Sequence, residues 1–487
     1  MLGMYVHTHW GYNRPYAARS WTLADWQGYL RGLRELGYDM VMLWPQLDCM
    51  PPEPTASDRA FLAKAAGAID CAHDLGMKFF LTGGPNVIGN DESGKYEFEN
   101  RPYFRCEQKV NPGDPAAMQR FLQGRRRQLE PLAKADALAI IDSDPGGYVG
   151  STNDQFVELL QSQIGLFRQL NPKAELIYWM WLGWENYNQF WAQTQAGVAE
   201  PRWHWHLPDY LQTLTRMKSV LVEPWSVTAT MPEHFQAIEQ MQLENKRLFL
   251  PYGAIEIEPN FPLTNFDAPR IAGFFEAIKG QSTPLRCMGN AQTHCLQLPG
   301  TYLFAHIAQG GRAETADWES FADGLLPGLG RPIADAWRAI NEPPDRQRQA
   351  GNSIRSLIGK DHQMGRYGGL LFGDPNRFLT DLADNLELRA ALFDFKSAVA
   401  GNADVRARLL TAMDVLIPYQ KRLGFVDAYF GTFYELFNAP LAKLKHPGID
   451  DVLRQFHEWR DPSVRNGVLA RLIEAIMKSY GGNTKQS

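Results

Sequence analysis

The apolar run Ala137-Leu-Ala-Ile-Ile ends in Asp142-Ser143-Asp144, followed by the turn residues Pro145-Gly146-Gly147. Positions i and i+2 of an extended backbone point to one side, so a strand ending this way would present both carboxyls together, Cα atoms roughly 6–7 Å apart. Repulsion between two such acids raises the pKa of one and keeps it protonated near neutral pH. The protonated acid can donate to a glycosidic oxygen, and the ionised one can hold or polarise a nucleophile. The same residues also suit an ordinary turn, because Asp before Pro-Gly bonds readily to its own backbone.

Other apolar runs end in equally reactive company: His7-Thr8-His9-Trp10, Trp44-Pro45-Gln46-Leu47-Asp48, Gly83-Gly84-Pro85-Asn86, Trp181-Leu182-Gly183-Trp184-Glu185, Glu223-Pro224-Trp225, Tyr252-Gly253-Ala254-Ile255-Glu256 and Asn290-Ala291-Gln292-Thr293-His294. Glu223 and Glu256 are acids that could pair with Asp142 or Asp144, and the separation of such a pair decides between retention and inversion. The rings of Trp10, Trp44, Trp181, Trp184, Trp225 and Tyr252 could stack on the flat faces of a pyranose. His7, His9, Gln46, Asn86, Asn290, Gln292 and His294 could hydrogen-bond its hydroxyls. Eleven of the fourteen tryptophans precede residue 226, which concentrates the rings in the first half of the chain. Trp21, Trp26 and Trp191 read as core.

Placing these groups together requires a scaffold that gathers strand ends. Strand patterns fall at residues 3–7, 40–44, 78–82, 138–142, 176–180, 219–223, 247–252 and 285–289. Helical periodicity fills most of the gaps, at 22–36, 57–75, 115–133, 153–169, 208–217, 231–245 and 268–279. Eight strands alternating with helices predict an α/β fold, a (β/α)8 TIM barrel over residues 1–311, with its chemistry at the C-terminal strand ends. After Gly310-Gly311 the pattern becomes helical, as in 403–416 and 464–477, with stops at Gly373-Asp374-Pro375 and His446-Pro447-Gly448. A C-terminal α-helical domain is expected over 312–480, with a frayed tail over 481–487.

Composition narrows the function classes. A net charge of −5 over 487 residues and the absence of a dense Lys/Arg tract argue against a general nucleic-acid binder. Arg125-Arg126-Arg127 reads as a solvated helix face. Five cysteines without CxxC spacing suit a reducing compartment, and no apolar run is long enough to span a bilayer. The first residues enter a strand at once, which predicts a cytoplasmic protein without a signal peptide. His7-x-His9 resembles the start of a metal-dependent amidohydrolase site, but strands five and six end in Trp and Glu where such sites need His, so neither metal nor other cofactor is assigned. Gly83-Gly84 and Gly146-Gly147 match no phosphate-binding pattern, and there is no G-x-S-x-G elbow.

Paired acids after strand four, tryptophans after strands five and six and an appended helical domain resemble the β-N-acetylhexosaminidase and α-glucuronidase-related glycoside hydrolases. The Asp-x-Asp-Pro-Gly-Gly turn is similar to one in bacterial members of that group. The resemblance implies a glycosidase with a carbohydrate substrate, one acid of the pair serving as general acid/base and the other orienting an N-acetyl group, with Asp144 and Asp142 in those roles or the reverse. Those families set the two acids side by side, whereas Ser143 separates them here. An exo-acting hydrolase is the leading expectation, with a metal-dependent hydrolase built on His7 and His9 or a non-catalytic sugar-binding barrel as alternatives. The oligomeric state, including a homodimer, is left open.

Overall fold

Short apolar runs bounded by Gly, Pro or Asp give the strands. In the computed structural model, which describes residues 1–9, 12–202, 205–256, 266–279, 286–401 and 405–423, these are β1 (Leu2–Val6), β2 (Met40–Leu43), β3 (Lys78–Gly83), β4 (Val87–Gly89), β5 (Glu107–Lys109), β6 (Ala137–Ile141), β7 (Glu175–Trp179), β8 (Trp225–Ala229), β9 (Arg247–Phe249) and β10 (Arg286–Ala291). All but β4 and β5 close into one barrel, in the order β1-β10-β9-β8-β7-β6-β3-β2. The parallel register sets Met40 beside Lys78, Ala137 beside Glu175 and Leu176 beside Trp225. β4 and β5 form an antiparallel hairpin inserted after β3.

Parallel barrel strands are buried on both faces and therefore read as continuous apolar runs. Inside, Ala137 and Ala139 leave room for Phe80, Trp179 and Tyr5, which pack with Met40, Met42 and Met288. Burying each large side chain contributes roughly 1.5–3 kcal/mol. Threonine caps fix three helix starts: Thr22, Thr55 and Thr152 each accept from the backbone three residues on and close a capping box with Asp25, Asp58 and Gln155.

Strand six departs from expectation. Residues 219–223 are not a strand: the helix Leu207–Val220 runs through the first of them, and the barrel strand is β8, beginning at Trp225. Tyr210, Leu214 and Met217 are buried at helical spacing and hold the helix to its end, while Val222 is left exposed. The run Trp225-Ser-Val-Thr-Ala, released by Pro224, supplies the strand.

The chain divides into two compact units. The first, Met1–His9, Gly37–Tyr252 and Gly273–Asn290, contains the barrel. The second is Trp10–Leu36, Gly253–Ala272 and Ala291–Ser487, so the units interleave along the chain where the sequence suggests one cut after residue 311. The second unit is helical, with Trp318–Leu325, Gly330–Ala339, Pro344–Arg355, Pro375–Gly401 and Val405–Leu423 among its helices. The helix expected at 464–477 and the tail 481–487 lie outside the described residues. Among the described residues, no helix is long and apolar enough to cross a membrane.

Candidate active site

Asp142 follows β6 directly and is fully buried. Its carboxylate accepts from Ser143 Oγ at 2.6 Å, Tyr178 Oη at 2.9 Å, Trp181 N at 3.0 Å and Leu182 N at 3.1 Å. These donors join β6 to the turn after β7. Burial pushes its pKa up to about 6, and the hydrogen bonds to Ser143, Trp181 and Tyr178 restrain the rise.

Asp144 sits differently. Its φ of 48° takes the backbone out of the extended region, so the shared-face relation expected for i and i+2 is lost. Asp tolerates this left-handed conformation better than most side chains. The residue is exposed, yet protein surrounds its carboxyl closely enough for desolvation to raise its pKa, with Lys109 acting in the opposite direction.

The Asp144 loop is clasped from two sides. Asn188 Oδ1, on the helix Trp184–Gln195, accepts from Tyr148 N at 2.7 Å. Gly147 has a φ of +81°, and a Cβ there would fall 2.6 Å from Asn188 Oδ1 and 2.9 Å from the Tyr187 ring, so only glycine fits. Asn86 Nδ2 donates to Val110 O at 2.7 Å and to Gly147 O at 3.2 Å, tying the loop to the segment that leaves β5. Asn86, expected to bind substrate, is thus a buried strap.

Beside this loop lies an aromatic and imidazole wall. The Trp181 ring packs 5.1 Å from Tyr252 and 5.9 Å from Trp205, and all three are partly accessible. His7 and His9 share a 2.6 Å Nδ1–Nδ1 hydrogen bond, and His7 Nε2 lies 3.2 Å from Tyr252 Oη. Burial depresses His7 to about 3, so it is neutral at working pH. Among the described residues, no group of three or more His, Cys, Asp or Glu is arranged to hold a metal.

Several expected ligands prove to be supports. Trp44 is 2% exposed, and its indole N–H donates to Asp48 Oδ2 at 2.6 Å, so it offers no stacking face. Asp48 Oδ1 accepts from Gly84 N at 3.1 Å and from Arg125 Nη2 at 3.2 Å. Arg125 is therefore buried in an ion pair, whereas Arg126 and Arg127 keep the solvated face expected of all three. Trp184 is fully buried against Phe156, with ring centroids 5.2 Å apart. Gln46 is buried and donates to His9 O at 3.4 Å, and Asn290 is buried within β10.

Glu223 and Trp225 are corrected outright. Both lie at the N-terminal end of β8, the opposite end of the strand from the one next to which Met180 and Trp181 leave β7. Glu223 is exposed and paired with Lys246, whose Nζ also sits 3.7 Å from the Trp225 ring centroid. Glu256, Gln292 and His294 belong to the second unit, all buried, His294 hydrogen-bonded to Tyr29 there. Trp10 lies outside the described residues.

Sequence reading missed two residues. His234 accepts at Nδ1 from Thr230 N at 3.1 Å and donates from Nε2 to Trp181 O at 3.1 Å, fixing the backbone of the aromatic wall. The true end of strand six, Ala229-Thr230, would have pointed to it. Lys109 is carried by the hairpin, and the long stretch between β3 and the helix Pro115–Leu129 was the only signal for that insertion.

No protein-family model and no curated protein matches the chain. Among solved structures it is similar to a GH138 enzyme targeting pectin rhamnogalacturonan II, with a TM-score of 0.50 at 9% identity over 90% of this chain and 62% of that one. It is also similar to an O-GlcNAc hydrolase of Thermobaculum terrenum, with a TM-score of 0.43 at 10% identity over 99% and 96% of the two chains. A β-hexosaminidase of Streptomyces plicatus gives a TM-score of 0.40 at 11% identity over 69% and 67%. At such identity the likeness is one of architecture: the chain has the (β/α)8 barrel fold found in glycoside hydrolases.

Proposed function

We propose that the protein is an exo-acting glycoside hydrolase in which Asp144 is the general acid/base. The observation that carries this reading is an accessible carboxyl with a raised pKa at the C-terminal end of barrel strand four, where barrel enzymes keep their chemistry. A carboxyl of this kind stays protonated closer to neutral pH and can give its proton to a leaving alkoxide, then recover one from water. Asp142 is the supporting acid, with four donors fixing it and the two strand ends it joins. Trp181, Trp205 and Tyr252 supply rings of the kind that stack on sugars.

A panel of aryl monoglycosides tests the reading. Wild-type protein should release the phenol from one class of sugar, which also identifies the substrate, and Asp144→Asn should lose that activity. Activity that disappears on chelation would transfer the assignment to a metal-dependent hydrolase, and binding without release would leave a sugar-binding barrel.

A further inference from the structure

Lys109 has no part in the proton transfer assigned to Asp144, yet the fold takes trouble to place it. It ends β5, and its ammonium lies 4.9 Å from the Trp191 ring centroid and 5.4 Å from that of Tyr187. Both rings belong to the helix Trp184–Gln195, the helix that grips the Asp144 loop through Asn188 and Tyr187. Asn86 joins the same two parts a second time, holding Val110, next to Lys109, and Gly147, three residues after Asp144. Lys109 and Tyr148 also line a single cavity of about 270 Å³. The lysine and the acid are therefore fixed to common supports.

A partly buried ammonium is unfavourable unless a negative charge faces it. Two do: Glu107 on its own strand and Asp144 on the loop. The buried Tyr103 hydroxyl faces the same two acids and Asp48. Desolvation raises the Asp144 pKa, and Lys109 is the charge that acts against it.

We propose that Lys109 is a positioning residue for Asp144: the Tyr187–Trp191 face and the Asn86 strap hold its ammonium within electrostatic reach of the Asp144 carboxyl and so set the pH at which that acid releases its proton. The catalytic consequence rests on Asp144 being the acid, but the coupling itself is independent of turnover. Carboxyl-carbon NMR of Asp-labelled protein, with the Asp144 signal assigned by its loss in Asp144→Asn, reads it directly. In Lys109→Met the Asp144 midpoint should rise by about one pH unit, and in Lys109→Arg it should stay near wild type. The alkaline limb of kcat should move up by the same amount with KM little changed, because a general acid works only while protonated. Lys109→Gln, neutral and similar in length, repeats the titration if the Met variant misfolds. An unmoved midpoint in a folded neutral variant would overturn the proposal. A moved midpoint in a protein that cleaves no glycoside would uphold the coupling and overturn the hydrolase reading.

Discussion

Four donors converge on the Asp142 carboxylate, from Ser143, Tyr178 and the amides of Trp181 and Leu182, whereas Asp144 projects from a left-handed turn into accessible space. Replacing Asp142 by Asn turns an NH2 group toward N–H donors and leaves one of them unpaired. Thermal or denaturant unfolding should find Asp142→Asn less stable by about 1–3 kcal/mol and Asp144→Asn within about 0.5 kcal/mol of wild type. Equal stability of the two variants would contradict this division of labour. The acid pair was legible in the sequence because carboxylates after a buried strand are chemically conspicuous. Their unlike orientations were not legible, since they depend on a single φ and on donors 36 to 40 residues away. Trp44 and Trp184 were misjudged for the same reason: composition reports a ring, and only packing reports whether a face of it is free.

At the scale of elements, the strand-four loop works as a piece held between the β4–β5 hairpin and the helix after β7. Gly147 is its tightest point, with a positive φ and no space for a Cβ. Gly147→Ala should therefore lower the activity proposed here sharply and destabilise the fold by roughly 1–3 kcal/mol, measured by turnover and unfolding together. Wild-type behaviour in both would show that the loop is not clasped as described. Seven of the eight barrel strands were readable because each is a buried apolar run of the right length. The eighth, strand six, was displaced because Val220, Leu221 and Val222 carry strand-like side chains at the end of a helix whose buried residues lie upstream. The hairpin was unreadable because its strands are three residues long and pair across a sequence gap that local pattern does not bridge.

At the scale of the whole molecule, buried titratable groups make folding depend on pH. His7 and His234 are both pushed down to about 3 by burial, so their contribution is complete above the ordinary histidine range and is lost as pH falls from about 6.5 toward 3. Asp142, raised to about 6, acts in the opposite sense: its contribution is complete below about 4 and is lost as pH rises through 6. From pH 7 to 5 each histidine costs about 2 kcal/mol and Asp142 returns about 1.4 kcal/mol, while the raised Asp48, Asp144, Asp209 and Asp381 act in the same sense as Asp142. The histidine share is read by difference: the change in Tm from pH 7 to pH 5 should be more favourable in His234→Gln than in wild type, and an equal change would contradict the burial of that imidazole. The division into interleaved units was hidden from the sequence, because segments such as Trp10–Leu36 join the second unit through contacts with residues far along the chain.

The central claim is that Asp144 supplies the proton to the leaving group. Hydrolysis of a series of aryl glycosides of rising phenol pKa, by wild type and Asp144→Asn, tests it most directly. The variant should lose about 10²–10⁴-fold in kcat on the most basic phenols and far less on dinitrophenol, which departs without protonation. Wild-type rates across the whole series in Asp144→Asn would contradict the claim.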